Sequence, residues 1–249
     1  SGTTPTLRLF GAIGINSYYQ PIKTILRWLL QYEDKDMAHT WIIPSDSLIY
    51  VKETIGPYTT MESTFNPLNF LLEVLSKSIS SDSLSYSEIE KKLMNDKLSV
   101  IVMGRQPLDT WYSWTTKFID KNIPREILLN NFIQSYITVE AIRLKAIERG
   151  MKVTHYVYEV NQYPELAVVG LFKQLGIENT PILEGWSKLP NLGKEGSNVF
   201  LPEVPPLFIV KDVHDKVEKA DAFRFYHGNG NLLGKEEKMY IMKANLQNI

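Results

Sequence analysis

The sequence predicts an α/β fold: a mainly parallel central sheet flanked by helices. Three observations predict it. Short apolar, β-branched runs alternate with helix-length amphipathic segments, as they do where parallel strands are joined by crossover helices. Two of those runs, residues 98–103 and 153–158, each lead within a few residues to a proline that suits a helix's first turn, Pro107 and Pro164. Residues 125–149 carry Ile127, Leu128, Phe132, Ile133, Tyr136, Ile137, Val139, Ile142 and Ile147, the broad apolar face of a long helix. With 249 residues and 44% hydrophobic content the chain has enough apolar material for one core, and a single domain over 1–249 is expected.

In chain order, residues 15–20 read as extended. Pro21 then opens an amphipathic helix with Ile22, Ile25, Leu26, Leu29 and Leu30 on one side, and residues 47–52 run apolar as a strand. Asn66 and Pro67 start a helix through Leu68, Phe70, Leu71, Val74 and Leu75. Residues 78–87 are serine-rich and predict an exposed loop. Ser87 and Glu90 have capping-box spacing and predict a short helix after it. Residues 98–103 form the central strand and lead into an aromatic helix from Trp111 to Phe118. After a turn at 121–124, the helix over 125–149 ends at Gly150 as a C-cap. Residues 153–158 form the next strand, and 164–175 a helix closed by Gly176. Beyond about residue 179 the chain becomes irregular, rich in Pro, Gly and Asn, with a further helix expected over 212–226; no internal repeat or linker interrupts it.

Composition narrows the function. A net charge of −1 argues against a nucleic-acid or membrane-surface partner, so a polyanionic ligand has to be met by locally placed basic groups. The absence of cysteine excludes disulfides, thiolate metal sites and a Cys nucleophile, and fits a cytoplasmic location. No apolar run reaches the roughly 18–20 residues of a membrane span. His39, His155, His214 and His227 lack zinc-type spacing, and no metal is expected.

Two short motifs carry chemistry. Arg105, Pro107, Asp109 and Ser113 stand where a strand delivers an arginine at its C-terminal end. Proline and aspartate then open a helix whose first turns carry the serine. Guanidinium and hydroxyl are thereby brought toward one phosphate, with the helix N-terminus behind them. The same spacing also serves a plain strand-to-helix turn in which Arg105 pairs with Asp109. The second motif is Ser1, Gly2, Thr3 and Thr4, followed by helix-patterned residues 5–12. Glycine permits close backbone approach, and hydroxyls and amides at a helix start hold oxyanions. The alternative takes Ser1 and Gly2 as a cloning scar and residues 7–13 as the first strand. Its loop would be 14–20, which contains no Lys or Arg.

In this order the two motifs resemble those of the PAPS-dependent sulfotransferases of bacterial type. The resemblance implies a three-layer, P-loop-like fold. Ser1, Gly2, Thr3 and Thr4 would cradle the 5′-phosphosulfate, and Arg105 and Ser113 would grip the 3′-phosphate. In the family a Lys or Arg and a strand precede the Ser, and both are expected upstream of Ser1. Tyr158 and Glu159, followed by Tyr163, Pro164, Phe172, Leu175 and Gly176, resemble a further family segment, with Val160 where Asp is common; this likeness puts Tyr158 at the donor site. Lys194 and Gly196 resemble the family's loop over the 3′-phosphate end. The likeness covers roughly residues 1–200 and leaves the last fifty unassigned.

The reaction so implied moves a sulfuryl group from PAPS to a hydroxyl of a small-molecule acceptor by in-line displacement, leaving PAP, with no metal. The acceptor needs a general base. Glu53 is the first choice, at a strand's C-terminal end where open α/β sheets bind ligands, with Lys52 orienting the sulfonate or pairing with Glu53. Both also read as a solvated turn pair. His39 is the second choice. Gln20 stands where related bacterial enzymes often have Glu; an amide is no base, so its role would be hydrogen bonding. Tyr18, Tyr19 and Trp111 are candidates for an aromatic-lined pocket, Trp111 either stacking on adenine or packing its helix. Two other readings compete: a catalytically degenerate sulfotransferase-like nucleotide-binding domain, and a P-loop-type small-molecule kinase, which lacks its Gly-Lys-Ser/Thr here.

Overall fold

A computed structural model describes residues 3–31, 48–78, 98–118, 123–178, 185–190, 192, 197–205, 239 and 244. In chain order it contains α1 (Thr3–Ala12), β1 (Asn16–Tyr19), α2 (Pro21–Gln31), β2 (Ile49–Lys52), α3 (Thr60–Thr64), α4 (Pro67–Ser78), β3 (Ser99–Gly104), α5 (Pro107–Phe118), α6 (Arg125–Glu148) and β4 (Lys152–Val157). A 3-10 turn (Tyr158–Gln162), α7 (Pro164–Leu175), a second 3-10 turn (Trp186–Lys188) and β5 (Val199–Phe200) follow. The chain is mixed α/β and its strand pairs are parallel, in the orders β2-β1-β5 and β3-β4. Two compact units result, Ser1–Thr54 with Tyr158–Arg224 and Ile55–Val157 with Phe225–Ile249. Among the described residues, no helix is long and apolar enough to cross a membrane. Of the predicted loop over 78–87, Ser78 belongs to α4 and the rest lies outside the described residues, as do the short helix starting at Ser87 and the helix over 212–226.

In the first unit, residues 7–12, which one reading made a strand, are helical. A 3.6-residue period explains the choice, because Leu7, Phe10 and Gly11 then share one face and meet the sheet together. Phe10 is stacked between Tyr50 (4.2 Å) and Phe172 (5.5 Å), and Leu7 packs with Leu192, Val199, Tyr19 and Tyr50. Gly11 crosses β5 so closely that a Cβ there would lie 2.2 Å from the Ser197 carbonyl oxygen and 2.8 Å from Val199 Cγ2. Gly11→Ala is therefore expected to destabilise the protein by about 1–3 kcal/mol, the usual cost of overpacking. A denaturation midpoint equal to wild type would refute this close approach.

Helix α2 begins at Pro21 as predicted, but its buried surface is wider than the expected apolar stripe. Lys23, Thr24, Arg27 and Trp28 are buried beside Ile22, Ile25 and Leu26, while Leu29 is 43% exposed. Trp28 takes the buried place one residue earlier, its indole Nε1–H donating to the Glu203 carbonyl at 3.0 Å. Helix α7 buries Ala167, Val168, Leu171 and Phe172 and closes as predicted, with left-handed Gly176 (φ 75°) and a bond from the Ile177 N–H to the Phe172 carbonyl (3.0 Å).

In the second unit, β3 and β4 pair over their full length, and α6 packs against both the sheet and α3. The expected broad apolar face of α6 is corrected. Ile127, Ile137 and Ile147 are each about half exposed, and the buried stripe is Leu128, Asn131, Phe132, Ser135, Thr138 and Ala146. This stripe is partly polar because it meets backbone carbonyls that need hydrogen-bond partners, one before α3 and one in its last turn. Asn131 Nδ2 donates to the Pro57 carbonyl (3.1 Å), and the Thr138 hydroxyl to the Ser63 carbonyl (2.7 Å). Helix α3, not foreseen, carries its own signal in Thr59 and Glu62: Thr59 Oγ1 accepts from the Glu62 N–H (3.1 Å), and Glu62 Oε2 accepts from the Tyr58 N–H (2.9 Å). Helix α6 ends at Arg149 and Gly150, with the Met151 N–H on the Ala146 carbonyl (3.0 Å).

Candidate functional site

The site is built on the first unit's sheet edge. Residues 13–15 are all that separates α1 from β1, so the helix runs back antiparallel along the strand it packs on. Gly11 near its end meets the start of β5, and Thr6 near its start has its hydroxyl 3.3 Å from the Tyr50 hydroxyl. Thr3 and Thr4 thus open α1 at the C-terminal end of the parallel strands. Helix α2 opens at the same edge, directly after β1. This is where a parallel sheet leaves its crevice and where helix N-termini favour anions.

Gln20 makes the turn from β1 into α2. Its φ of 50° is left-handed, uncommon for a residue with a Cβ. The conformation is held by its N–H on the Lys52 carbonyl (2.7 Å) and by its own carbonyl, which accepts from the Thr24 N–H (3.0 Å) and hydroxyl (2.7 Å). The Gln20 side chain does not cap the helix. It donates through Nε2 to Thr54 Oγ1 and accepts through Oε1 from Arg27 (3.4 Å), so the expected hydrogen-bonding role for this residue has named partners.

The cap comes from the neighbouring strand. Glu53, the residue after β2, accepts from the N–H groups of Ile22 (2.9 Å) and Lys23 (3.3 Å), two of the donors a helix start leaves without intrahelical partners. Burial pushes its carboxyl up to about 7, against the opposing pull of the Ile22 N–H and of the Lys23 and Lys52 charges. Lys52 is 4% exposed, with its ammonium 3.8 Å from the centroid of the Tyr19 ring. The solvated turn pair is thereby corrected: Lys52 is buried, and Glu53, partly exposed, has both carboxylate oxygens turned onto the start of α2. Lys23 is 1% exposed, with Nζ 3.4 Å from Thr54 Oγ1, and Arg27 is buried one turn on. Burial also raises the Tyr19 hydroxyl, with the Arg27 charge acting against it.

Lys23, Arg27 and Thr54 were not singled out from the sequence. The signal was present: Gln20, Lys23 and Arg27 fall at i, i+3 and i+7 of one helix face, directly behind a proline. Tyr18, one of the aromatics noted, stacks on Phe200 (4.9 Å). Tyr158 is buried in this unit too, but it belongs to the 3-10 turn, since β4 ends at Val157.

The second unit carries the other motif. Arg105 follows directly on β3, and its carbonyl accepts from the Tyr136 hydroxyl at 3.0 Å. Pro107 opens α5 as predicted. The side chain at the helix start is Gln106, whose Oε1 accepts from the Asp109 N–H (2.7 Å). Arg105 and Ser113 are both buried. Trp111 is fully buried against Leu128 and Phe132, which makes it core and leaves no face for an adenine ring. Ser1, Gly2, His39, Lys194 and Gly196 lie outside the described residues. Comparison with protein-family models, with curated proteins and with solved structures finds no match.

Proposed function

We propose that this chain is a PAPS-dependent sulfotransferase of the three-layer, P-loop-like kind, acting on a hydroxyl of a small-molecule acceptor. The observation that carries the proposal is Glu53: a carboxylate with a raised pKa at the C-terminal end of a parallel strand, beside buried Lys23 and Lys52 and on the N-terminus of α2. A carboxyl near neutrality accepts a proton in its working pH range and becomes neutral on doing so, which a low-dielectric setting favours.

In the proposed reaction Glu53 takes the proton of the acceptor hydroxyl as its oxygen bonds to sulfur. The bond from sulfur to the bridging oxygen breaks in line, and PAP departs with the electron pair. Lys52 offsets charge on the sulfonate. The opening of α1, with Ser1, Gly2, Thr3 and Thr4, binds the phosphosulfate through amides and hydroxyls. By the family pattern the 3′-phosphate falls to Arg105 and Ser113, and the donor's remaining contacts to Tyr158, Lys194 and Gly196.

Calorimetric titration with PAP, beside ATP, tests this reading. PAP is expected to bind in preference to ATP, and Arg105→Ala to weaken it by roughly 10–100-fold, the worth of one or two hydrogen bonds to a charged group. A folded protein that binds no PAP would remove the sulfotransferase reading and leave Arg105 as part of a structural turn.

A further inference from the structure

We propose that Thr54 is an oriented hydrogen-bond donor to the sulfonate, an inference that rests on the sulfotransferase reading above. The argument follows the direction of each hydrogen bond in the chain Arg27, Gln20, Thr54, Lys23. A guanidinium donates and never accepts, so the Gln20 atom that faces Arg27 at 3.4 Å is its carbonyl oxygen Oε1. The amide's other end, Nε2, therefore faces Thr54 Oγ1 as a donor. Lys23 Nζ, 3.4 Å from the same oxygen, is also a donor without acceptor capacity. A threonine hydroxyl has two acceptor sites and one proton. With both sites addressed by Gln20 and Lys23, the proton is directed away from them.

Thr54 is only partly buried and adjoins Glu53 at the C-terminal edge of the sheet. Its hydroxyl thus stands where the acceptor and the transferring group meet, polarised by one cation directly and by a second through an amide. Such a donor is arranged before substrate arrives and needs no reorganisation during the reaction. The arrangement also gives the left-handed turn at Gln20 a purpose: it carries the amide between Arg27 and Thr54 and leaves the capping of α2 to Glu53.

Titration of the full chain with PAPS and with PAP, which lacks the sulfonate, tests the contact. Thr54→Val removes the O–H and is expected to weaken PAPS about tenfold or more while leaving PAP unchanged, the loss of one hydrogen bond to a charged oxygen. Thr54→Ser keeps the hydroxyl and is expected to keep both affinities. Gln20→Glu leaves Thr54 in place but offers it an acceptor, so the hydroxyl turns back and PAPS is expected to weaken as in Thr54→Val. Combining the two changes is expected to cost no more than either alone, because both remove the same donor; a bare charge effect at position 20 would add instead. PAPS binding by Thr54→Val at wild-type strength, or an equal fall for PAP and PAPS, overturns the proposal. If the wild-type chain binds neither nucleotide, the sulfotransferase reading fails, and inorganic sulfate judges the donor separately. Sulfate binding that is weakened in Thr54→Val and kept in Thr54→Ser supports an oxyanion donor; no sulfate binding, or binding indifferent to both changes, refutes it.

Discussion

Glu53→Gln is expected to lower the rate of sulfuryl transfer by about 10²–10⁴-fold, the range contributed by a positioned general base. Glutamine keeps the shorter half of the cap, because its carbonyl oxygen still accepts from the Ile22 N–H, and gives up only the longer bond that the second carboxylate oxygen takes from the Lys23 N–H, so the folded structure should persist while proton acceptance is lost. The pH profile gives a second signature. With the carboxyl at about 7, wild-type activity should rise as pH increases through neutrality, and Glu53→Gln should abolish that rise. Stability should move the opposite way. A folded pKa above the ordinary 4.5 means that the folded state holds a proton the unfolded chain has released between about pH 4.5 and 7. The contribution of Glu53 to stability is therefore complete below that window and lost as pH rises through it, and Glu53→Gln should flatten this slope in denaturation measured across pH. A variant with wild-type turnover and an unchanged pH profile would reduce Glu53 to a helix cap.

Gly56→Ala should destabilise the protein more than Gly11→Ala, because it adds backbone strain to overpacking. Gly56 has φ 68°, and an added Cβ would lie 2.6 Å from both the Ser135 hydroxyl oxygen and Trp114 Cη2. Neither neighbour is placed to yield. Ser135 donates to the Asn131 carbonyl at 2.6 Å, and Trp114 meets Phe132 edge-on at 5.2 Å. A left-handed backbone costs a residue with a Cβ about 1–2 kcal/mol and overpacking about 1–3 kcal/mol, roughly 2–5 kcal/mol together. Chemical denaturation should show a lower midpoint with an unchanged slope. Gly104→Ala is the control, since its Cβ would meet nothing within 4 Å. Equal midpoints for Gly56→Ala and Gly104→Ala would contradict the packing described around Gly56.

Local rules made much of the fold legible. Pro21, Pro107 and Pro164 each stand at the first position of a helix, and Gly150 and Gly176 lie just past the ends of α6 and α7, because each residue's φ preference acts without its neighbours' help. Parallel pairing was also legible, since alternating strands and helices leave room for crossovers and little for hairpins. Helix α3 was missed for its size: five residues are too few to show a period, and only the spacing of Thr59 and Glu62 marked it.

The candidate site was legible in part. Glu53 and Lys52 were found by their position at a strand's end, a property of sequence order. That Glu53 caps α2, that Lys23 and Arg27 are buried, and that Gln20 hands a hydrogen bond to Thr54 are matters of which residues meet across the 30-odd positions separating β2 from the start of α2. Helix α6 makes the same point, because a sum of apolar residues along it favoured Ile127, Ile137 and Ile147, whereas contacts with Pro57 and Ser63 turned Asn131 and Thr138 inward. Element type and direction follow from backbone preference and period, which are written residue by residue. Burial and charge environment depend on what lies opposite in space, and no local pattern carries that.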